Sequence, residues 1–197
     1  MERLLRVGVF ALCLLPAGWL VYAAGSGGLG PDPAESIMHL SGEWSLRMLL
    51  LTLLVPLLRR WTGWSAWLKL RRMLGLYAFF YACTHLVSFC HFYVGWTPSI
   101  LVEELAERPY ITAGFAAWLL MLPLAITSTR GMQRRLRRNW QRLHYLVYPV
   151  ALLACGHLLW QARSDIGEAL AYTTVVVALL GWRLWRFAGQ RQPAAAR

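Results

Sequence analysis

Along this chain the apolar residues fall into runs of about 20, the length that crosses a bilayer as a helix. The runs cover 7–24, 41–58, 73–95, 110–128, 143–161 and 169–187. Short arginine clusters or Gly/Pro-rich turns such as 25–33 separate them. Pro16, Pro56, Pro123 and Pro149 lie inside the runs or near their ends. Membrane helices tolerate proline where neighbouring helices satisfy the freed carbonyls. The pattern predicts an all-α polytopic membrane bundle of about six transmembrane helices. It forms one domain over 1–197, with a soluble tail from about 188. No internal repeat is evident.

Charge sets the expected orientation. The N-terminus, the 59–72 and 129–142 loops and the C-terminal tail together hold 17 of the 20 Lys and Arg. The others are Arg47, Arg108 and Arg163, and every acid but Glu2 lies on the opposite side. By the positive-inside rule both termini are cytoplasmic. Apolar residues make up 58% and charged residues 15%, against about 25% charged in a soluble domain. The net charge of +11 sits in short clusters between bilayer-length runs, which marks topology and excludes a nucleic-acid groove. Cys13, Cys83, Cys90 and Cys155 fall inside apolar runs and read as small buried hydrophobes. Arg3 and Arg6 precede the first run without a clean cleavage site, so that run reads as a retained span. With no G-x-G-x-x-G or Walker motif and no loop long enough for a βαβ unit, the chain has neither familiar route to NAD(P)H.

The chemistry lies in the histidines, since an ionisable group at bilayer depth is by default functional. His85 is 13 residues past Arg72 and His157 is 15 past Arg142. Both are then about 20 Å from the cytoplasmic edge, on helices that start on the same side. A level pair of neutral imidazoles suits the two faces of one haem. His144 lies about 19 Å nearer the cytoplasm, an offset suited to a second haem. In an uninterrupted helix, though, His144 and His157 would point about 140° apart. Pro149 between them is the residue able to re-phase the helix. Taken singly, each could be a hydrogen-bonded core histidine. His91 is about 240° around the helix from His85 and faces elsewhere, and His39 sits at the outer entry to the second run.

Five segments carry a resemblance: GGLGPDPAESIMHLSG at 27–42, RRMLGLYAFFYACTH at 71–85, RPYITAG at 108–114, TSTRGMQRRL at 127–136 and NWQRLHYLVY at 139–148. Together, and in this order, they resemble the MsrQ family of haem-binding membrane subunits of bacterial periplasmic methionine sulfoxide reductase systems. That family lies within the ferric reductase-like transmembrane group. The resemblance implies a multi-pass inner-membrane protein with b-type haem, one or, if His144 holds another, two. Its partners would be a periplasmic molybdopterin reductase that repairs oxidised proteins and a cytoplasmic flavin reductase or quinol as donor. FMN is a further cofactor it brings in. The family's haem histidines fall on His85, His144 and His157. Where oxidase relatives carry a second inner-site histidine, this chain has Arg71 or Arg72.

Other residues have plainer and sharper readings. Arg47, inside an apolar run, pairs with Glu43 four residues earlier or neutralises a haem propionate. Most of the 11 tryptophans, Trp44 and Trp140 among them, read as an interfacial aromatic belt, with Trp140 also placed to meet a flavin donor. Arg130, Arg134, Arg135, Arg137, Arg138 and Arg142 set topology, attract anionic lipid, or dock a donor's phosphate. Glu103, Glu104 and Glu107 are solvated charge or steer a periplasmic partner. The expected function is a transmembrane electron relay without a substrate site of its own. The alternative is a six-helix transporter or channel with a histidine proton path and no cofactor.

Overall fold

The structure is a computed structural model describing residues 2–162 and 166–189. Arg163, Arg191, Arg197 and most of the expected tail lie outside the described residues. The described elements are helices: α1 (Glu2–Ser26), α2 (Pro33–Thr62), α3 (Ala66–Phe89), α4 (Pro98–Glu107), α5 (Pro109–Ile126), α6 (Arg130–Leu136), α7 (Arg138–His144), α8 (Val147–Gln161) and α9 (Ile166–Gly189). A π-helical turn, Cys90–Val94, closes α3.

Local chemistry accounts for the boundaries. Pro33 occupies the first turn of α2, and the Asp32 carboxylate caps it by accepting from the Glu35 N–H at 3.0 Å. Gly63 ends the helix at φ 68°, its N–H donating to the Arg59 carbonyl. Only residues 63–65 then separate α2 from α3. The expected 59–72 loop is therefore mostly helix, because nothing from Ala66 to Arg72 breaks one. Likewise the 129–142 loop is two short helices, hinged at Arg137 with φ 47°.

Five segments are long and apolar enough to cross a membrane: Arg3–Ser26, Pro33–Thr62, Ala66–Val94, Pro109–Ile126 and Arg138–Gln161. The sixth run forms α9, a helix of 24 residues that carries Glu168, Arg183 and Arg186 and stands outside these five. Arg183 donates to the Tyr148 hydroxyl at 2.9 Å and to the Leu53 carbonyl, tying α9 to α8 and α2.

The core lies between the α2–α3 hairpin and the α5–α8 pair, around Leu49, Leu53, Ala78, Tyr81, Met121, Val150 and Ala151. α1 packs on its outside through tyrosines. The Tyr81 hydroxyl donates to the Cys13 carbonyl at 2.7 Å and accepts from the Ala17 N–H at 3.2 Å. It inserts beside Pro16, where the helix ladder is already short of a donor. Trp44, expected in the interfacial belt, instead packs on Tyr81 and under Arg47. All four cysteines are free.

Candidate functional site

His85 on α3 and His157 on α8 come together at one cavity of about 980 Å³. Their ring centroids are 6.1 Å apart with planes at 79°. Two metal–imidazole bonds of about 2 Å plus the half-width of each ring also span about 6 Å, so the spacing admits one metal between the two rings.

Hydrogen bonding fixes which nitrogen each ring offers. His85 Nδ1 lies 2.8 Å from the Met38 carbonyl, and His157 Nδ1 lies 2.7 Å from the Tyr110 carbonyl. A carbonyl oxygen only accepts, so each Nδ1 must carry the proton and each Nε2 keeps a free lone pair. That is the arrangement of metal-binding imidazoles, whose other N–H is held by an outer partner. His144 shows it too, its Nδ1 donating to the Trp140 carbonyl at 3.0 Å. His91 is the opposite: its Nδ1 accepts from the Trp96 indole N–H at 3.2 Å, which puts its proton on Nε2. His39 lies 3.7 Å from Glu35 on an exposed face of α2.

The two ligand-type seats are built alike. Each carbonyl lies four residues before a helical glycine, Gly42 in α2 and Gly114 in α5. Each is 47 residues ahead of its histidine. A Cβ on either glycine would fall 2.9 Å from the imidazole Nδ1. The histidines close the near-identical tetrapeptides Ala82–Cys83–Thr84–His85 and Ala154–Cys155–Gly156–His157. The two seats thus share a spacing and a short local sequence. A helical glycine costs about 0.5–1 kcal/mol relative to alanine, so two at matching places point to close approach as their purpose.

The cavity walls are mostly apolar, including Leu46, Leu49, Met121 and Val150, while its rim is polar with Glu35, His39, Glu43, Arg108, Gln161, Glu168 and Tyr172. Cofactor pockets run to about 300–1,000 Å³ with few, placed polar groups. A flat apolar group with a metal at its centre and polar substituents at one edge fits this shape.

His144 does not line that cavity. Its ring stacks on Trp140 with centroids 3.9 Å apart, and the Trp140 indole N–H donates to the Thr127 carbonyl at 3.0 Å. Trp140 is therefore built into the bundle as a support for His144. Arg71 lies within electrostatic reach of His144 and of Arg183, whereas Arg72 is exposed. The chain does break between His144 and His157. Tyr145, Leu146 and Tyr148 donate to carbonyls three residues back, and Pro149 has no N–H to give. The overwound turn re-phases α8, so the ideal-helix angle between the two histidines does not apply.

Arg47 stays beside the cavity. It donates to the Tyr172 hydroxyl at 2.7 Å, pairs with Glu43 at 2.8 Å and Glu168 at 3.4 Å, and lies 5.0 Å over the Trp44 ring. The ion-pair reading describes this geometry, with Tyr172 and Glu168 added from α9, which sequence spacing could not reach. Arg135, Arg137 and Arg138 line an open depression far along the chain from the paired histidines.

A family model described as ferric reductase like transmembrane component matches residues 41–155, which include His85 and His144. The "Protein-methionine-sulfoxide reductase heme-binding subunit MsrQ" of Xanthomonas axonopodis pv. citri (strain 306) is 50% identical over 91% of this chain and 82% of its own length. The protein of the same description from Polaromonas naphthalenivorans (strain CJ2) is 41% identical over 90% of this chain and 82% of its own. No solved structure matches the chain. Identity sustained across both hairpins and the turn between them leaves one assignment: this chain belongs to the MsrQ family, within the ferric reductase-like transmembrane components.

Proposed function

We propose that this chain is a transmembrane electron-transfer subunit that binds b-type haem between His85 and His157. It would deliver electrons to a periplasmic molybdopterin-containing methionine sulfoxide reductase. The observation that carries this reading is the pair of imidazoles 6.1 Å apart, both with Nδ1 committed to a carbonyl. Haem, if bound there, would supply one-electron oxidation and reduction.

The chain's own residues do the rest. His85 and His157 would hold the metal from α3 and α8, and the Met38 and Tyr110 carbonyls keep both rings in the ligating tautomer. Leu46, Leu49, Met121 and Val150 exclude water from the apolar part of the cavity. Arg108 supplies positive charge at a rim that also carries His39, Glu35, Glu43 and Glu168. Arg47 keeps two of those carboxylates paired. His144, backed by Trp140, is the candidate ligand of a second, more cytoplasmic haem, with Arg71 beside it in place of a second histidine.

Electrons would enter on the arginine-rich side in the inner membrane of a bacterium, from a flavin reductase or quinol. The exposed arginines of α6 and α7 suit a phosphate-bearing donor, FMN included. The test is the visible spectrum of purified protein, with haem quantified per chain. A Soret band with split low-spin features is expected. Protein that folds, inserts and stays colourless after haem supplementation would sink the reading and return the histidines to a proton path.

A further inference from the structure

We propose that Gly42 and Gly114 are positioning residues that set the orientation and hydrogen bonding of the two axial imidazoles. The inference rests on the haem reading of the cavity and goes beyond it, because it concerns two glycines of the cavity wall that have no side chain to offer a metal.

In a helix, the carbonyl of residue n−4 accepts from the N–H of residue n and keeps a second lone pair. The side chain of residue n ordinarily stands over that lone pair. With glycine at n the carbonyl lies open to a neighbouring helix. That is the situation at Met38 and Tyr110, each of which receives a histidine N–H from a helix packed alongside.

The fit is close on both sides. A Cβ at position 42 would stand 2.9 Å from His85 Nδ1 and 3.2 Å from Cε1. At position 114 it would stand 2.9 Å from His157 Nδ1, 3.0 Å from Cε1 and 3.1 Å from Cγ. The ring that would be struck is held at its struck atom by the carbonyl bond, so it cannot turn aside and keep that bond. An alanine must tilt the imidazole, lengthen the Nδ1–H···O contact, or push the helices apart.

Two other helical glycines are the contrast. Gly156 is next to His157 in sequence yet has nothing within 4 Å of its Cβ position, and Gly75 would meet only Thr52, at 3.8 Å. Alanine fits at both.

The experiment uses full-length, haem-loaded protein. Gly42→Ala and Gly114→Ala should each move the highest-g signal of the low-spin ferric haem. Each should also lower haem affinity about tenfold or more, the usual effect of losing an outer partner of a metal ligand. The midpoint potential should rise, because an imidazole whose N–H bond is weakened is a poorer donor to ferric iron. Gly75→Ala and Gly156→Ala should leave signal, affinity and potential as in wild type. Wild type with bis-histidine haem and unaltered Gly42→Ala and Gly114→Ala variants would overturn the inference alone. Wild type without haem would overturn the functional reading and this inference with it. Should the two variants fail to insert, pulsed electron-nuclear spectroscopy on ¹⁵N-histidine wild type decides. Both ligand Nδ1 atoms should carry a proton that exchanges slowly with D₂O, and an unprotonated or freely exchanging Nδ1 would refute it.

Discussion

His85 and His157 differ from His91 in which ring nitrogen carries the proton. In the first two, Nδ1 donates to a carbonyl and Nε2 is free; in His91, Nδ1 accepts from Trp96, so Nε2 is blocked. His85→Ala and His157→Ala should each abolish the low-spin bis-histidine spectrum, since either change would remove one of the two proposed protein bonds to the metal. His91→Ala should leave haem content and spectrum intact. A mutant series read by low-temperature absorption checks all three, and a normal spectrum in either of the first two refutes the pairing. His144 stands apart from the shared cavity. Its substitution by alanine should keep the His85/His157 spectrum and bring the haem-to-protein ratio down to about one per chain, given a single imidazole and an arginine beside the inner place. Loss of all haem in His144→Ala would make it a ligand of the principal site instead.

At the scale of elements, the turn between α7 and α8 decides how His144 and His157 relate. Pro149 withholds the N–H that the Tyr145 carbonyl would accept, and three overwound bonds follow from the break. Pro149→Ala permits a continuous helix and a change of phase upstream. The expected result is altered or lost haem binding at His144 with an unchanged His85/His157 signal; equal disturbance of both would show that α8 moves as a whole. α9 depends on a different device. Arg183 reaches the Tyr148 hydroxyl and the Leu53 carbonyl and lies 5.5 Å over the Tyr148 ring. Arg183→Met keeps length but not these bonds. It should cost about 1.5–3 kcal/mol, the worth of hydrogen bonds to a charged group, seen as a lower midpoint of thermal unfolding in detergent.

For the whole molecule, the proposed relay needs a basic face toward the donor and a haem cavity opening toward the other side. The polar rim of Glu35, Glu43, Arg108 and Glu168 surrounds the cavity, while the arginines of α6 and α7 lie apart from it. Changing Arg134, Arg135, Arg137 and Arg138 to Gln should slow haem reduction by a cytoplasmic flavin donor by about tenfold or more at low salt, the scale of electrostatic steering. The wild-type rate should fall toward the variant's as ionic strength rises. Normal topology and haem content with an unchanged rate would leave these residues only their topological role.

Hydropathy and charge by themselves determined the all-helical membrane architecture, most of its spans and the level placement of His85 and His157. These follow from a rise of about 1.5 Å per residue and a fixed bilayer thickness, both one-dimensional quantities. Helix ends inside the arginine clusters were not legible, because charge marks the membrane edge and not the end of backbone hydrogen bonding. Gly42 and Gly114 carried no signal as site residues, since what they do depends on a histidine 43 positions further on in each half. The Arg47–Tyr172–Glu168 contacts, the Trp140 support of His144 and the inward reach of Arg183 were likewise decided by tertiary structure. Which carbonyl is exposed, and which imidazole meets it, is a property of two packed surfaces, and a linear pattern holds only one of them at a time.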